Sequence, residues 1–154
     1  MERTFCMIKP DGVQRRLVGR ILGRFEDKGL RVAGLKLLQM SQAQAQDLYS
    51  IHKGKPFYDT LVKFVTASPV VVTVLEGNQA VSAVRKLLGA TFGFNAEPGT
   101  IRGDYGCSKG LNLIHGSDAA ESARREIPIF FKEAELVKYE HVDTVWVLEE
   151  PERK

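Results

Sequence analysis

Val70-Val71-Val72-Thr73-Val74-Leu75 is the segment with the clearest conformational preference in the chain. Five of its six residues are β-branched, and β-branched side chains favour the pleated backbone of a strand. Pro69 comes directly before it and ends a helical pattern that includes Leu61 and Val65. The segment therefore predicts a β-strand that follows a helix.

Two more strands and two helices are predicted on the N-terminal side. Thr4–Ile8 is short, apolar and β-prone, so we expect a buried strand there. Apolar residues recur at helical spacing over residues 18–25, and residues 32–40 form a second apolar strand. Ser41 with Gln44 fits the S-x-x-Q capping box, which predicts that another helix begins there.

On the C-terminal side, Asn78 is predicted to cap a helix that stops at Gly89. Residues 90–110 contain five glycines and no clear period, which predicts a long functional loop. A short strand over residues 111–114 and a helix over residues 118–131 follow. This order of strands and helices predicts an α/β sandwich, and the pattern alone leaves parallel and antiparallel sheets open.

Length and composition indicate a single globular domain. The chain has 154 residues, of which 44% are hydrophobic and 27% charged, near the average for folded proteins. We expect residues 1–154 to form one domain, with residues 132–154 as a packed C-terminal tail. The net charge of +3 is too small to indicate nucleic acid as the main partner, but it suits an anionic small substrate.

Cysteine content and hydropathy predict a cytoplasmic protein. Cys6 and Cys107 form no CxxC pair, which favours two reduced thiols. No run approaches the roughly 20 apolar residues that span a bilayer, so a membrane location is not expected.

His115 is the histidine best placed for chemistry. His52 and His141 lie among charged residues and are predicted to be solvated. His115 instead ends the apolar strand directly before a predicted helix, and ligands and phosphates collect at such strand-to-helix junctions. A hydrogen-bonded structural histidine is the alternative.

Glu126 is a candidate partner for His115. It follows eleven residues later, about three helical turns away, and a carboxylate that reaches the imidazole would fix its tautomer. The alternative is a solvated helix charge beside Arg124 and Arg125.

Three cations are candidates for phosphate binding: Lys9 after the first strand, Arg85 on a helix, and Arg102 in the long loop. Taken alone, each of them is better explained as a surface charge. Other phosphate-site and metal-site signatures are missing, because the sequence contains no GxxxxGK[ST], GxGxxG or HExxH motif and no Cys/His cluster. A P-loop kinase, a nucleotide-binding Rossmann domain and a structural zinc site are therefore disfavoured.

Four ordered stretches resemble nucleoside diphosphate kinases. They are TFCMIKPDGV at 4–13, HKGKPF at 52–57, PGTIRGD at 98–104 and NLIHGSD at 112–118. The resemblance extends over nearly the whole chain. It implies a ferredoxin-like fold, in which helices cover a four-stranded antiparallel sheet.

The resemblance also implies roles for individual residues. His115 matches the histidine that is phosphorylated and then dephosphorylated, and Ser117 and Glu126 match the pair that supports it. Phe57 and Leu61 match an apolar clamp on the base. The polar groups around the phosphates, the ribose and the histidine match Lys9, Tyr49, Arg85, Thr91, Arg102 and Asn112, with Lys9 counted among the catalytic residues as well.

The implied reaction moves the γ-phosphate of a nucleoside triphosphate, typically ATP, to a nucleoside diphosphate. The enzyme carries the phosphoryl group in between, which gives ping-pong kinetics. Mg²⁺ would be carried by the nucleotide phosphates, with no direct protein ligand. The resemblance further implies a homo-oligomer, with a hexamer favoured over a tetramer.

Two other functions stay open from the sequence alone: a nucleotide- or nucleic-acid-binding regulatory module without turnover, and a phosphohistidine hydrolase.

Three features depart from the family pattern. Residues 92–97 lack an Asn-Pro start, Lys109 occupies a place near the base that is often apolar, and Pro128 should kink or end the helix that carries Glu126.

Overall fold

Four strands form one antiparallel sheet in the computed structural model, which describes residues 1–153. The strands are β1 (Glu2–Ile8), β2 (Arg31–Leu38), β3 (Val70–Gly77) and β4 (Ile114–Gly116). Their spatial order is β2-β3-β1-β4, and every neighbouring pair is antiparallel. This confirms the predicted ferredoxin-like sheet. Lys154, the last residue of the predicted domain, lies outside the described residues.

Helices cover both faces of the sheet. They are α1 (Pro10–Gln14), α2 (Val18–Asp27), α3 (Gln42–Leu48), α4 (Tyr58–Val65), α5 (Ala80–Leu88), α6 (Ile101–Tyr105), α7 (Ala120–Phe130) and α8 (Thr144–Val147). Short 3₁₀ turns lie at Ser50–His52, Gly93–Asn95, Glu133–Glu135 and Glu150–Glu152. Among the helices of residues 1–153, none has the length and apolar character needed to cross a bilayer.

The apolar residues of the central strands divide between two cores. Val70, Val72 and Val74 of β3 pack on the side of α3, α4 and α7. Val71 and Leu75 pack on the opposite side, with α2 and α5. Because successive side chains of a strand point to opposite faces, a strand buried on both faces has a continuous apolar sequence. This explains the unbroken β-branched run of β3.

The predicted cap of α5 is wrong by one residue. Gln79, not Asn78, precedes the helix, and its backbone is left-handed with φ at 49°. The Gln79 side chain makes no capping hydrogen bond, and the Glu2 carboxylate accepts one from the Val81 amide in the first turn at 3.0 Å. The Asn78 side chain instead donates a hydrogen bond to Oε1 of Glu152 at 2.8 Å.

The segment 90–110 has more structure than the predicted loop. The Thr100 hydroxyl accepts a hydrogen bond from the Gly103 amide at 3.0 Å, which caps the short helix α6. Gly103 is required there, because a Cβ atom would lie 1.9 Å from the Glu97 carbonyl oxygen. Arg102 therefore lies on a helix.

Strand β4 is also shifted from its predicted position at residues 111–114. The strand begins at Ile114, because Leu113 has a left-handed backbone with φ at 72°. The Leu113 amide donates to Oδ2 of Asp11 at 3.0 Å, and its carbonyl accepts from the Lys9 amide at 2.8 Å. As a result His115 lies at the centre of the strand, paired with Met7.

Pro128 lies in the last turn of α7, and the helix ends two residues later at Phe130. The Phe131 amide still donates to the Ile127 carbonyl at 2.9 Å. The proline thus acts close to the helix end, and the helix is continuous where Glu126 lies.

The C-terminal segment contacts the sheet at its start. Leu136 is buried, and the Val137 amide donates to the Ala33 carbonyl at 2.8 Å. Farther along, Val142 and Trp146 are 100% and 89% exposed. The tail nevertheless keeps contacts beyond residue 136, since the Tyr139 hydroxyl donates to the Val32 carbonyl at 3.1 Å.

Candidate active site

His115 and Glu126 are in direct contact. His115 lies on β4 and is partly buried, and its Nε2 atom is 3.0 Å from Oε2 of the buried Glu126. Helix α7 runs against β1, the neighbour of β4, and this packing turns the carboxylate toward the imidazole. Since an ionised carboxylate only accepts hydrogen bonds, this contact assigns the ring proton to Nε2 and leaves the Nδ1 lone pair free.

Both oxygens of the Glu126 carboxylate have further donors. The Ser117 hydroxyl donates to Oε2 at 2.7 Å, and the Arg125 guanidinium donates to Oε1 at 3.2 Å. A buried carboxylate needs such donors to offset its lost hydration. The carboxylate is therefore held in one orientation under the histidine ring.

The Tyr49 ring lies against the ring of His115. The two rings meet edge to face, with centroids 5.7 Å apart and planes at 82°. The Tyr49 hydroxyl is buried and has no hydrogen-bond partner among the described residues. Burial is the main cause that raises the pKa of Tyr49, so the hydroxyl stays protonated and can donate a hydrogen bond to a ligand.

Lys9, Asn112 and Thr91 form a chain of hydrogen bonds. The Lys9 ammonium donates to Oδ1 of Asn112 at 2.8 Å, and Nδ2 of Asn112 donates to the Thr91 carbonyl at 2.9 Å. Burial, and then the charge of Arg102, lower the pKa of Lys9 to about 8. An anionic ligand would favour the charged ammonium.

Arg102 is buried and binds three backbone carbonyls. Its guanidinium donates to Asn112 at 3.1 Å, Gly89 at 3.0 Å and Ile114 at 2.6 Å. Burial, followed by the charge of Arg85, lowers the pKa of Arg102 to about 10, so the group remains charged at neutral pH. Three of its five N–H groups are thus used to brace the segments around the site.

Arg85 and Thr91 are exposed. Arg85 lies on α5, near Asp118 in the segment after β4. A hydrogen bond from Ser122, and more weakly the charge of Arg85, lower the pKa of Asp118. Arg85 is therefore an exposed charge close to the segment that follows His115.

A row of aromatic rings runs from the surface to His115. Phe57 is half-exposed before α4, with its ring 5.3 Å from that of His52, which is 6.2 Å from Tyr49. Leu61 packs against the core one turn farther along α4. The prediction that His52 is simply solvated is wrong, because it is half-buried in this row and Nδ1 lies 3.1 Å from the Lys55 ammonium.

The structure therefore gathers one set of predicted residues around His115: Lys9, Tyr49, Arg102, Asn112, Ser117 and Glu126. Phe57 and Leu61 lie on the adjoining helical segment, and Arg85 and Thr91 lie on the exposed side. Sequence reasoning did not select Arg125, because nothing local separates it from Arg124. Within residues 1–153, no three His, Cys, Asp or Glu side chains come together as a metal-binding group.

Comparison with known proteins identifies the family. The nucleoside diphosphate kinase family model matches residues 2–136. A nucleoside diphosphate kinase of Crocosphaera subtropica is 56% identical over 149 residues, covering 97% of this chain and 100% of the relative. One of Carboxydothermus hydrogenoformans is 54% identical with the same coverage.

Solved structures agree. A halophilic nucleoside diphosphate kinase from Halobacterium salinarum in complex with CDP is 49% identical with a TM-score of 0.94, covering 96% of this chain and 99% of that chain. A nucleoside diphosphate kinase family protein from Babesia bovis is 41% identical with a TM-score of 0.93, covering 96% and 100%.

The fold and the comparisons define a phosphotransferase. The chain belongs to the nucleoside diphosphate kinase family. The ping-pong mechanism through a phosphohistidine is general for this family. Its members act on nucleotides, which generally implies a divalent metal ion.

Proposed function

We propose that Nδ1 of His115 accepts the γ-phosphoryl group of a nucleoside triphosphate and passes it to a nucleoside diphosphate. The observation that carries this assignment is the 3.0 Å contact between Nε2 and Glu126. This contact occupies one ring nitrogen and leaves the other as the nucleophile. The alternative, a purely structural histidine, would not require a free ring nitrogen.

In the first half-reaction, the Nδ1 lone pair forms a bond to the γ-phosphorus as the bond from phosphorus to the β-γ bridging oxygen breaks. The diphosphate leaves with that electron pair. Nε2 keeps its proton, so the phosphorylated ring is positively charged, and the Glu126 carboxylate offsets this charge. Ser117 holds the carboxylate in place. In the second half-reaction a terminal oxygen of the acceptor attacks the same phosphorus and the N–P bond breaks.

The surrounding residues bind the nucleotide in this proposal. Lys9, Arg85 and Arg102 offset phosphate charge, and the unpartnered Tyr49 hydroxyl donates to a phosphate oxygen. Phe57 and Leu61 hold the base, and stacking on an aromatic face tolerates every base. Thr91 and Asn112 contact the phosphates or ribose. Mg²⁺ arrives with the nucleotide and contributes positive charge at its phosphates.

Labelling tests the assignment. The protein is incubated with γ-labelled ATP and Mg²⁺, freed of nucleotide, and then given a nucleoside diphosphate. We expect the wild-type protein and His52→Ala to take an acid-labile, base-stable label and to transfer it to the diphosphate. His115→Ala should take no label. In ¹⁵N NMR the phosphate should appear on Nδ1. Label on His115→Ala, or phosphate on Nε2, would refute the assignment.

Other outcomes would favour other functions. Nucleotide binding without any label would favour the regulatory module, and transfer to water instead of the diphosphate would favour the hydrolase.

We also propose a cytoplasmic homo-oligomer, a hexamer rather than a tetramer, formed by one domain over residues 1–154 with its tail over residues 132–154. Exposed apolar side chains support self-association: Leu35 and Leu37 lie on the edge strand β2 and are 50% and 68% exposed. Sedimentation equilibrium measures the subunit number directly.

A further inference from the structure

Arg125 joins two parts of the molecule that the proposed reaction uses separately. It lies on α7 beside Glu126, and its Nη2 atom donates to Oε1 of that carboxylate at 3.2 Å. Its Nη1 atom donates to the Asp47 carbonyl at 3.0 Å, and both Nη atoms lie 3.4 Å from the Leu48 carbonyl. One guanidinium therefore contacts the carboxylate behind the histidine and a helix 77 residues away.

The two carbonyls belong to the end of α3. The last carbonyls of a helix lack partners within it, and a guanidinium fork can bind two of them at once. Tyr49, whose ring edge meets His115, directly follows Leu48. The base-clamp residue Phe57 lies farther along the same segment. Arg125 thus fixes the point at which this segment leaves α3.

The contact with Glu126 has an electrostatic consequence. Oε2 of the carboxylate receives the Nε2 proton of His115 and the Ser117 hydroxyl, whereas Oε1 has Arg125 as its donor. Removing a charged donor from a buried carboxylate frees it to turn and to seek another partner. The orientation and the tautomer of His115 depend on that carboxylate.

We propose that Arg125 is a positioning residue for phosphoryl transfer, which locks the Glu126 carboxylate onto His115 and ties it to the end of α3 before Tyr49. This inference rests on the proposed role of His115. Arg125 does not touch the reacting atoms of the proposed phosphoryl transfer. Its effect reaches them through the tautomer of the imidazole and through the placement of Tyr49.

The chain offers a matched control in the preceding residue. Arg124 is 69% exposed, and its one ion pair within residues 1–153 is with Glu121, which is 79% exposed. Arg124→Gln and Arg125→Gln remove the same charge from the same helix. We expect Arg125→Gln to lower kcat about 10-fold, the effect of losing one charge-assisted hydrogen bond, and to change KM less. Arg124→Gln should match the wild type.

A spectroscopic readout separates positioning from simple stability. ¹⁵N NMR of ring-labelled histidine should show a single Nε2–H tautomer of His115 in the wild type and in Arg124→Gln. In Arg125→Gln it should show a mixture of tautomers. Arg125→Lys keeps the charge but cannot bind the carboxylate and both carbonyls at once, so its kcat should lie between the two.

The inference would be overturned if Arg125→Gln kept the kcat and the His115 tautomer of the wild type, or if only its melting temperature changed. If Arg125→Gln does not fold, wild-type kcat and tautomer in Arg125→Lys would overturn it. Labelling of the wild-type protein with γ-labelled ATP distinguishes failure of the proposed function of His115 from failure of the proposed role of Arg125. If the wild type takes no label on His115, the proposed function fails together with this inference. If it takes label and Arg125→Gln takes it equally fast, only the role of Arg125 fails.

Discussion

Replacing Arg102 with alanine should weaken the fold as well as catalysis. The substitution removes three hydrogen bonds from a buried guanidinium to the carbonyls of Gly89, Asn112 and Ile114. A bond to a charged group contributes about 1–2 kcal/mol in such a setting, which gives roughly 3–5 kcal/mol in total. The Asn112 carbonyl keeps a second donor, the Ile114 amide, so its share is the smallest.

Far-UV circular dichroism during urea unfolding, at fixed protein concentration, measures this loss. Fluorescence is a poor reporter here, because the single tryptophan, Trp146, is 89% exposed in the folded chain. A loss of this size should also lower the melting temperature by about 6–20 °C. His52→Ala is the control and should cost less than about 1 kcal/mol, because that side chain is only half-buried.

Activity must be compared at a temperature where both variants are folded. There we expect Arg102→Ala to lose far more activity than His52→Ala. A melting temperature within about 2 °C of the wild type would refute the bracing role derived from the three carbonyl contacts. Equal activity of the two variants would refute the role of Arg102 at the phosphates.

Two further predictions concern single groups. The pKa of Lys9 is about 8, below its unfolded value, so about half of the Lys9 side chains are neutral at pH 8. Nucleotide binding at this pH should charge them and take up about half a proton per site. Calorimetry in two buffers of different ionisation enthalpy measures this uptake, and Lys9→Met should abolish it. Gln79→Gly should stabilise the fold by about 0.5–1 kcal/mol, because Gln79 has φ at 49° before α5 and glycine adopts that backbone freely; a lower urea midpoint would contradict this reasoning.

Elements with strong periodicity were predictable from the sequence. The β-branched run of β3 and the Ser41–Gln44 capping box are both confirmed, because each depends on residues that are neighbours in sequence. The contact between His115 and Glu126 was also predictable as a candidate, because Glu126 follows eleven residues later on the helix predicted directly after His115. The local pattern could not predict whether the sheet is parallel or antiparallel, because strand direction depends on connections that a local pattern does not encode.

The errors occur where distant residues decide the local backbone. β4 begins late because Asp11, 102 residues away, binds the Leu113 amide and supports its left-handed conformation. Arg124 and Arg125 look equivalent in sequence, and only the packing of α3 against α7 separates them. The left-handed Gln79 likewise has no signature in the side-chain pattern.

The brevity of β4 makes enzymatic activity a sensitive report on folding accuracy. Three register pairs join this strand to β1, with His115 in the middle pair opposite Met7, and the Lys9–Leu113 and Phe5–Ser117 backbone hydrogen bonds flank them. A slip by one residue would send the imidazole to the opposite face of the sheet, away from Glu126, while the larger pairing of β1, β2 and β3 stayed intact. Such a molecule would keep nearly all of its secondary structure and lose the contact between His115 and Glu126. Specific activity after refolding would therefore measure the fraction of molecules in which β4 has the native register. A spectroscopic signal of overall structure would also count the molecules with a shifted β4.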